Sequence, residues 1–256
     1  RVNRAPTCVH WSPNEEKFAV ATGSKLVSVC YFEADHDWWV SKHIKNHKST
    51  VTSVAWHPEN ILLATGSTDF TVRVFSTFIR GVDKRGGGMV FGDKLPFGEK
   101  PLWEGRVPGW VHSVAWSPDG KTLAYAAHDG GVSFATFNSP QPELTVCRGN
   151  TLPFRSIAFI NPGSLIAAGH DMNPALFTNQ GGWKLAKQLD TGAKAAGPAK
   201  GGNSAFKMFA NKVDRGEEVS DSRLQTTHQN SIVGVSLTKG GFTTCGADGN
   251  ICHWQV

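Results

Sequence analysis

From Val51 to Phe75 the chain reads VTSVAWHPENILLATGSTDFTVRVF, and its apolar positions fall into three short runs. Val51, Ser53 and Ala55 alternate with Thr52, Val54 and Trp56, a period of two with mixed apolar residues on both faces, which predicts a strand covered on either side. His57 to Asn60 breaks the pattern with a Pro and an Asn, Ile61 to Thr65 resumes it, Gly66 to Asp69 turns, and Phe70 to Phe75 alternates again around Val72 and Val74. These runs predict a three-stranded antiparallel meander.

The unit recurs. Pro6 to Trp11, Val51 to Trp56, Val111 to Trp116, Phe154 to Phe159 and Ile232 to Leu237 are five versions of its first strand, three of which run into a Ser-Pro or His-Pro turn at Pro13, Pro58 and Pro118. Its second half returns at Phe18 to Phe32, Leu62 to Phe75, Leu123 to Phe137, Leu165 to Phe177 and Phe242 to Trp254. The residues closing the first strands are spaced 45 (Trp11 to Trp56), 60 (Trp56 to Trp116), 43 (Trp116 to Phe159) and 78 (Phe159 to Leu237). A base period near 43 is that of WD repeats, in which each repeat is a four-stranded blade of a β-propeller. The expectation is an all-β, single-domain WD-repeat β-propeller over residues 1–256 with about five blades, and two insertions at about 80–110 and 190–227.

Composition agrees with a packed domain. With 39% hydrophobic and 18% charged residues, nine Trp and 15 Phe, the chain has ample core material, which excludes disorder of the whole. No run approaches 18 consecutive apolar residues, so no membrane span is expected. The opening Arg1-Val2-Asn3-Arg4 lacks an initiator Met and a signal-type apolar region, which reads as a start inside a longer protein. Five Cys, an odd number with no framework spacing, indicate a reducing compartment. The net charge of +5 permits an acidic partner, whether protein, nucleic acid or lipid, and selects none.

Candidate chemistry begins with a recurring carboxylate. Asp69, Asp129, Asp171 and Asp248 stand in the tight turn of four repeats, while the first has Gly23-Ser24-Lys25 there. A short carboxylate in such a turn accepts backbone N–H groups and an imidazole N–H, and His47 and His228 sit where that partner belongs, with Trp254 as a terminal Trp. Because no nucleophile recurs with the pair, a structural turn network is expected rather than catalysis. No Gly-x-Ser-x-Gly, His-Glu-x-x-His or Cys-x-x-Cys occurs, His43 and His47 lack a third ligand nearby, and neither metal nor cofactor is expected. The basic and aromatic residues from Trp38 to Lys48 read as a solvated blade surface rather than a nucleic-acid site.

Both insertions have a character of their own. Arg80 to Trp110 is Gly-rich and reads as a solvated loop between blades, without the Gly-Lys-Ser/Thr of a phosphate loop. Thr191 to Gly202 is a low-complexity Gly, Ala, Lys and Pro tether. After it, Asn203 or Ser204 can cap a helix that stops at Gly216 and gathers Phe206, Phe209, Ala210 and Val213 on one face, a candidate for docking into an apolar groove. Folding back of this helix on the propeller stands beside that reading.

Words outside the repeat carry a resemblance. WSPNEEKFAV (Trp11 to Val20), CYFE (Cys30 to Glu33), DWWVSKHIK (Asp37 to Lys45), RVFSTFI (Arg73 to Ile79), LPFG (Leu95 to Gly98), GWVH (Gly109 to His112), AAGHD (Ala167 to Asp171) and HQNSI (His228 to Ile232) are similar to the subunit 1 family of the actin-related protein 2/3 complex. The resemblance runs the whole length in order. It implies a seven-bladed propeller, with two blades preceding Asn3, in a cytoplasmic, cytoskeletal assembly that nucleates branched actin filaments. Its implied partners are the other subunits, the actin filament and nucleation-promoting factors, with Ser204, Ala205, Phe209 and Asn211 at the positions that match the family's contact segment; the helix face adds Phe206 and Val213 to the candidate actin or factor contact. Phe206, Met208 and Ala210 make this segment more apolar than the family pattern, which favours groove docking over a contact between charges. The competing expectation is a WD-repeat adaptor for nucleic acid or ubiquitin-type machinery.

Overall fold

In a computed structural model, which describes residues 4–84, 90–92, 95–191 and 224–255, the strands form five antiparallel sheets in chain order. The first holds β1 (Pro6–Trp11), β2 (Lys17–Thr22), β3 (Val27–Glu33) and β4 (Trp38–Ile44), and the second β5 (Val51–Trp56), β6 (Leu62–Ser67), β7 (Thr71–Ser76) and β8 (Trp103–Arg106). The third holds β9 (Val111–Trp116), β10 (Thr122–Ala127), β11 (Val132–Thr136) and β12 (Glu143–Cys147). The fourth holds β13 (Phe154–Asn161), β14 (Ser164–Gly169), β15 (Ala175–Asn179) and β16 (Trp183–Gln188), and the fifth β17 (Ile232–Thr238), β18 (Gly241–Gly246) and β19 (Ile251–Gln255). First strands pack on first strands, β1 on β5, β5 on β9, β9 on β13 and β13 on β17, so the sheets radiate from them as five propeller blades.

Apolar residues on both faces of one sheet are what this arrangement requires. In the second blade every residue of β6 and β7 is buried. Val54, Trp56, Leu63 and Phe75 face Ala19, Val29 and Tyr31 of the first blade, while Leu62, Ala64, Val72 and Val74 face Val114, Trp116, Leu123 and Tyr125 of the third. Fully burying a Leu or Phe side chain is worth roughly 1.5–3 kcal/mol, so these seams dominate the stability of the blade.

Polar groups set the register between blades. Each first strand shifts register between its first and third residues, a β-bulge that re-aims the side chain between them. Past the bulge a hydroxyl accepts the N–H of the next inner strand: Val114 donates to Ser53 Oγ at 3.2 Å, Ile157 to Ser113 Oγ at 3.3 Å and Val235 to Ser156 Oγ at 3.1 Å. In the first blade Cys8 takes that register position. Burial pushes its thiol up, partly offset by the hydrogen bond from the Val54 amide.

The first insertion is not the inter-blade loop that its glycines predict. Trp103–Arg106 within it is β8, the fourth strand of the second blade, so the inserted chain enters that blade between its third and fourth strands. Trp103 and Gly105 are buried and Glu104 and Arg106 exposed, an alternation only four residues long that is hard to see in a Gly-rich stretch. The insertion is fastened to the first blade by a buried pair: Lys17 Nζ lies 2.6 and 2.7 Å from the Asp83 oxygens, 3.2 Å from the Thr77 carbonyl and 5.1 Å from the Trp56 ring centroid. Burial pulls the Lys17 ammonium down in pKa, and Asp83 opposes that shift.

The second insertion leaves and returns at one place, where the Thr227 amide donates to the Asp190 carboxylate. The helix expected from Ser204 to Val213 lies outside the described residues. Trp38 to Ile44, expected as blade surface, is the outer strand of the first blade, with Trp38 and Trp39 exposed.

Candidate functional site

The turn aspartates divide into two kinds. In the second and fifth blades they join a His, a Thr and neighbouring donors into a closed relay; in the third and fourth they do not. Asp129 accepts from the Gly131 amide at 3.2 Å and pairs with Arg148 at 3.1 Å, and Asp171 accepts from the Leu152 amide at 2.9 Å. Four residues before the first strand, where the other two blades have His47 and His228, these blades have Val107 and Asn150.

In the fifth blade, Asp248 Oδ1 and Oδ2 both lie 3.2 Å from His228 Nδ1, so that nitrogen carries the proton. His228 Nε2 then accepts from the Thr244 hydroxyl at 2.8 Å, and Thr244 Oγ1 accepts from Trp254 Nε1 at 2.7 Å. The relay runs in one direction from indole to carboxylate. Burial works to raise Asp248, yet the Gln229 and Asn250 amides and His228 hold it well below the usual carboxylate range.

The second blade uses the same positions with the proton on the other nitrogen. Arg73 Nη1 stands 2.8 Å from His47 Nδ1, and a guanidinium only donates, so Nδ1 is the acceptor. His47 Nε2 therefore donates to Thr65 Oγ1 at 2.9 Å, which donates to the Arg73 carbonyl at 3.3 Å. Phe75 occupies the register position of Trp254, offering no N–H, and contacts the His47 ring edge-on at 5.9 Å. Arg73 reaches Asp69 at 2.9 Å and, through Nε, Glu104 on β8 at 2.7 Å. Burial works to raise Asp69, but the Thr71 hydroxyl, the Lys48 amide and Arg73 hold it well below the ordinary range. His47 is lowered by burial, with Asp69 opposing and Arg73 reinforcing the shift, which keeps the ring neutral.

A carboxylate, an imidazole and a hydroxyl in line are the parts of a general-base-activated nucleophile. Here the hydroxyls have no approach. Thr65 is fully buried and Thr244 is 1% exposed. Each hydroxyl is engaged on both sides within its sheet. What the arrangement can do is lock the turn, the loop before the first strand and the second strand of a blade together. Sequence reasoning gave Thr65, Thr244, Arg73 and Glu104 no part in the turn network; the available signal was a Thr at one register position in the two His-containing repeats. Among the described residues, no group of three or more His, Cys, Asp or Glu could hold a metal ion, and no helix is long and apolar enough to cross a membrane.

The order of strands agrees with the family comparison. The WD domain, G-beta repeat model matches residues 38–76 and 100–134, and each match takes the outer strand of one blade with the first three of the next. Across its whole length the chain is 44% identical to actin-related protein 2/3 complex subunit 1A-B of Xenopus laevis, covering 71% of that protein. It is 41% identical to subunit 1B of Arabidopsis thaliana and 39% identical to subunit 1 of Schizosaccharomyces pombe, covering 72% and 74% of them. The chain belongs to the actin-related protein 2/3 complex subunit 1 family.

Within this subunit 1 family member, the residues predicted from sequence fall into separate places. His47 with Asp69, and His228 with Asp248 and Trp254, come together; Asp129 and Asp171 meet backbone amides and, for Asp129, Arg148 in place of a relay histidine. Ser204, Ala205, Phe206, Phe209, Asn211 and Val213 lie outside the described residues.

Proposed function

We propose that the chain is a non-catalytic scaffold subunit of an actin-related protein 2/3 complex, in the cytoplasmic actin cytoskeleton, where it supports nucleation of branched filaments. Identity of 39–44% to subunit 1 proteins of frog, plant and yeast over the full chain carries this reading. The burial of both relay hydroxyls agrees with it, since the groups that resemble catalytic machinery hold the turn and strands of a blade together instead. Its partners are the other subunits, and beyond them the mother filament and nucleation-promoting factors.

The filament or factor contact is assigned to the tethered segment containing Ser204, Ala205, Phe206, Phe209, Asn211 and Val213, whose apolar residues recur at helical spacing. Deleting residues 203–214 from the full-length protein is expected to leave complex assembly intact and to depress branching in a pyrene-actin and microscopy assay. Normal branching by the deleted complex would reject the segment's role. Failure of the wild-type protein to enter the complex would reject the scaffold reading itself.

A further inference from the structure

The outer strands β4, β8, β12 and β16 each end a sheet, so that among the described residues one edge of their main chain pairs with no strand. Free edges of this kind are templates for pairing with another chain, and charged side chains, Lys above all, blunt them. β4 carries Lys42, β8 Arg106, and β16 Lys184 and Lys187. β12, whose sequence is ELTVC, has no cation, and its one charge, Glu143, stands at the first residue.

The side chains of β12 divide between two faces. Thr145 and Cys147 lie opposite Phe134 and Val132, which pack towards the fourth blade. Leu144 and Val146 alternate with them on the other face and are 55% and 52% exposed. An edge strand with two bare apolar residues and no cation is the kind that pairs unless something already covers it.

On the side of the fourth blade a cleft of about 200 Å³ opens between β12 and β16, lined by Cys147, Phe177, Trp183 and Leu185 with Arg148 and Lys184 as its charged groups. Cys147 Sγ donates to the Trp183 carbonyl at 3.0 Å and so joins the two strands. Trp183 stacks on Phe134 with centroids 4.0 Å apart and is 7% exposed, yet its indole N–H has no hydrogen-bond partner. The indoles of Trp56 and Trp254 both have one, the His10 carbonyl and the Thr244 hydroxyl. A buried donor left over in this way calls for an acceptor from elsewhere. Arg148 is engaged by Asp129, which leaves the exposed Lys184 as the cation beside the cleft. An extended segment answers all of these features together. Its main chain continues the sheet past β12, side chains of one parity cover Leu144 and Val146, and those of the other enter the cleft with an oxygen for Trp183 or Lys184. A helix or a flat surface could cover the apolar face but would leave the main-chain edge unpaired.

We propose that β12 receives an added strand from another subunit of the complex, an extended segment with apolar side chains at alternate positions. The proposal rests on the scaffold reading and says which edge serves it. Two measurements on the full-length protein test it: hydrogen–deuterium exchange of the subunit alone and in the assembled complex, and the affinity of the Leu144→Lys, Val146→Lys double variant for the remaining subunits. Assembly is expected to slow exchange of the amides in 143–147 by roughly tenfold or more. The double variant, both of whose changes lie on the exposed face, is expected to keep the thermal midpoint of the wild type and to bind the other subunits roughly tenfold more weakly or worse. Exchange in 143–147 left unchanged by assembly would overturn the added strand even if the variant failed to fold, and wild-type affinity in a folded variant would overturn it too; both leave the scaffold reading in place. Failure of the wild-type protein to associate would remove the two together. A concentration-dependent dimer that protects these amides, with the other subunits bound as tightly by the variant as by the wild type, would overturn the proposal in favour of a second copy of this chain.

Discussion

Two blades turn opposite imidazole nitrogens to their acceptors, and one neighbouring residue decides which. Arg73 imposes a donor on His47 Nδ1, whereas Cys252 holds the same register position beside Thr244 and leaves His228 Nδ1 to Asp248. The Thr hydroxyl accommodates both by rotating, so it is the residue on which each relay depends. Thr244→Val leaves His228 Nε2 and Trp254 Nε1 without partners and is expected to cost about 2–4 kcal/mol in urea unfolding, while Thr244→Ser stays within about 1 kcal/mol of wild type. Equal losses for Val and Ser would show that the methyl group matters and the relay does not. A second contrast follows from the seams. Ser113→Ala removes the acceptor for Ile157 and is expected to cost about 1 kcal/mol, yet Cys8→Ser, which installs the hydroxyl used by Ser53, Ser113 and Ser156, should be neutral or stabilising. The His and Asp of both relays were legible because they recur at fixed places in a repeat. The seam hydroxyls were not, since Ser53, Ser113 and Ser156 look like the polar half of an alternating strand.

Strands with a strong period of two were legible in the chain, and the first strands of all five blades begin where the pattern places them. β8 escaped notice because Trp103–Arg106 has only two inward residues, one of them a glycine, and follows a stretch whose composition resembles a loop. The described parts of the inserted chain before it are nevertheless fastened to the blades. Gly98 and Leu102 donate to carbonyls of Ser76 and Val74, and Asp83 accepts from the Ile79 amide at 2.7 Å as well as from Lys17. Both ends of this ion pair are buried, with side chains 0% and 2% exposed. Removing one partner strands the other in a low-dielectric site, so Asp83→Asn is expected to destabilise by about 3 kcal/mol or more. Lys17→Met combined with Asp83→Leu should recover much of that loss. Urea unfolding of the three variants checks this, and a cost below about 1 kcal/mol for Asp83→Asn would mean that the insertion is held by its apolar contacts alone.

Seen as a whole, the molecule opens its two insertions from opposite ends of the blades: the first follows β7 at one end, and the second leaves after β16 and returns before β17 at the other. A repeat pattern gives the number of blades but carries no information about which end of an antiparallel sheet a loop leaves from, so this placing of the insertions was not legible before the strands were in place. Burial within this assembly also couples its stability to pH. His47, His57 and His112 all have pKa values lowered by burial, His112 to about 4, against 6.5 for an ordinary imidazole. Between those limits the unfolded chain binds protons that the folded chain refuses, so stability rises with pH across the window and is lost on acidification from about 6.5 towards 4. Asp69 and Asp248 act in the same direction at lower pH: their folded values lie below the ordinary 3.8, so their contribution is present above that value and disappears as acid protonates them. The histidine part is separable from the carboxylate part by its range. The urea midpoint is expected to be lower at pH 5 than at pH 7, and His112→Gln should flatten the slope between pH 6.5 and 4 while leaving the steeper loss below pH 4 in place. An unchanged slope in that variant would mean that His112 gains protons equally in the folded and unfolded chain, and that its contact with His128, 2.8 Å between Nε2 and Nδ1, leaves it open to water.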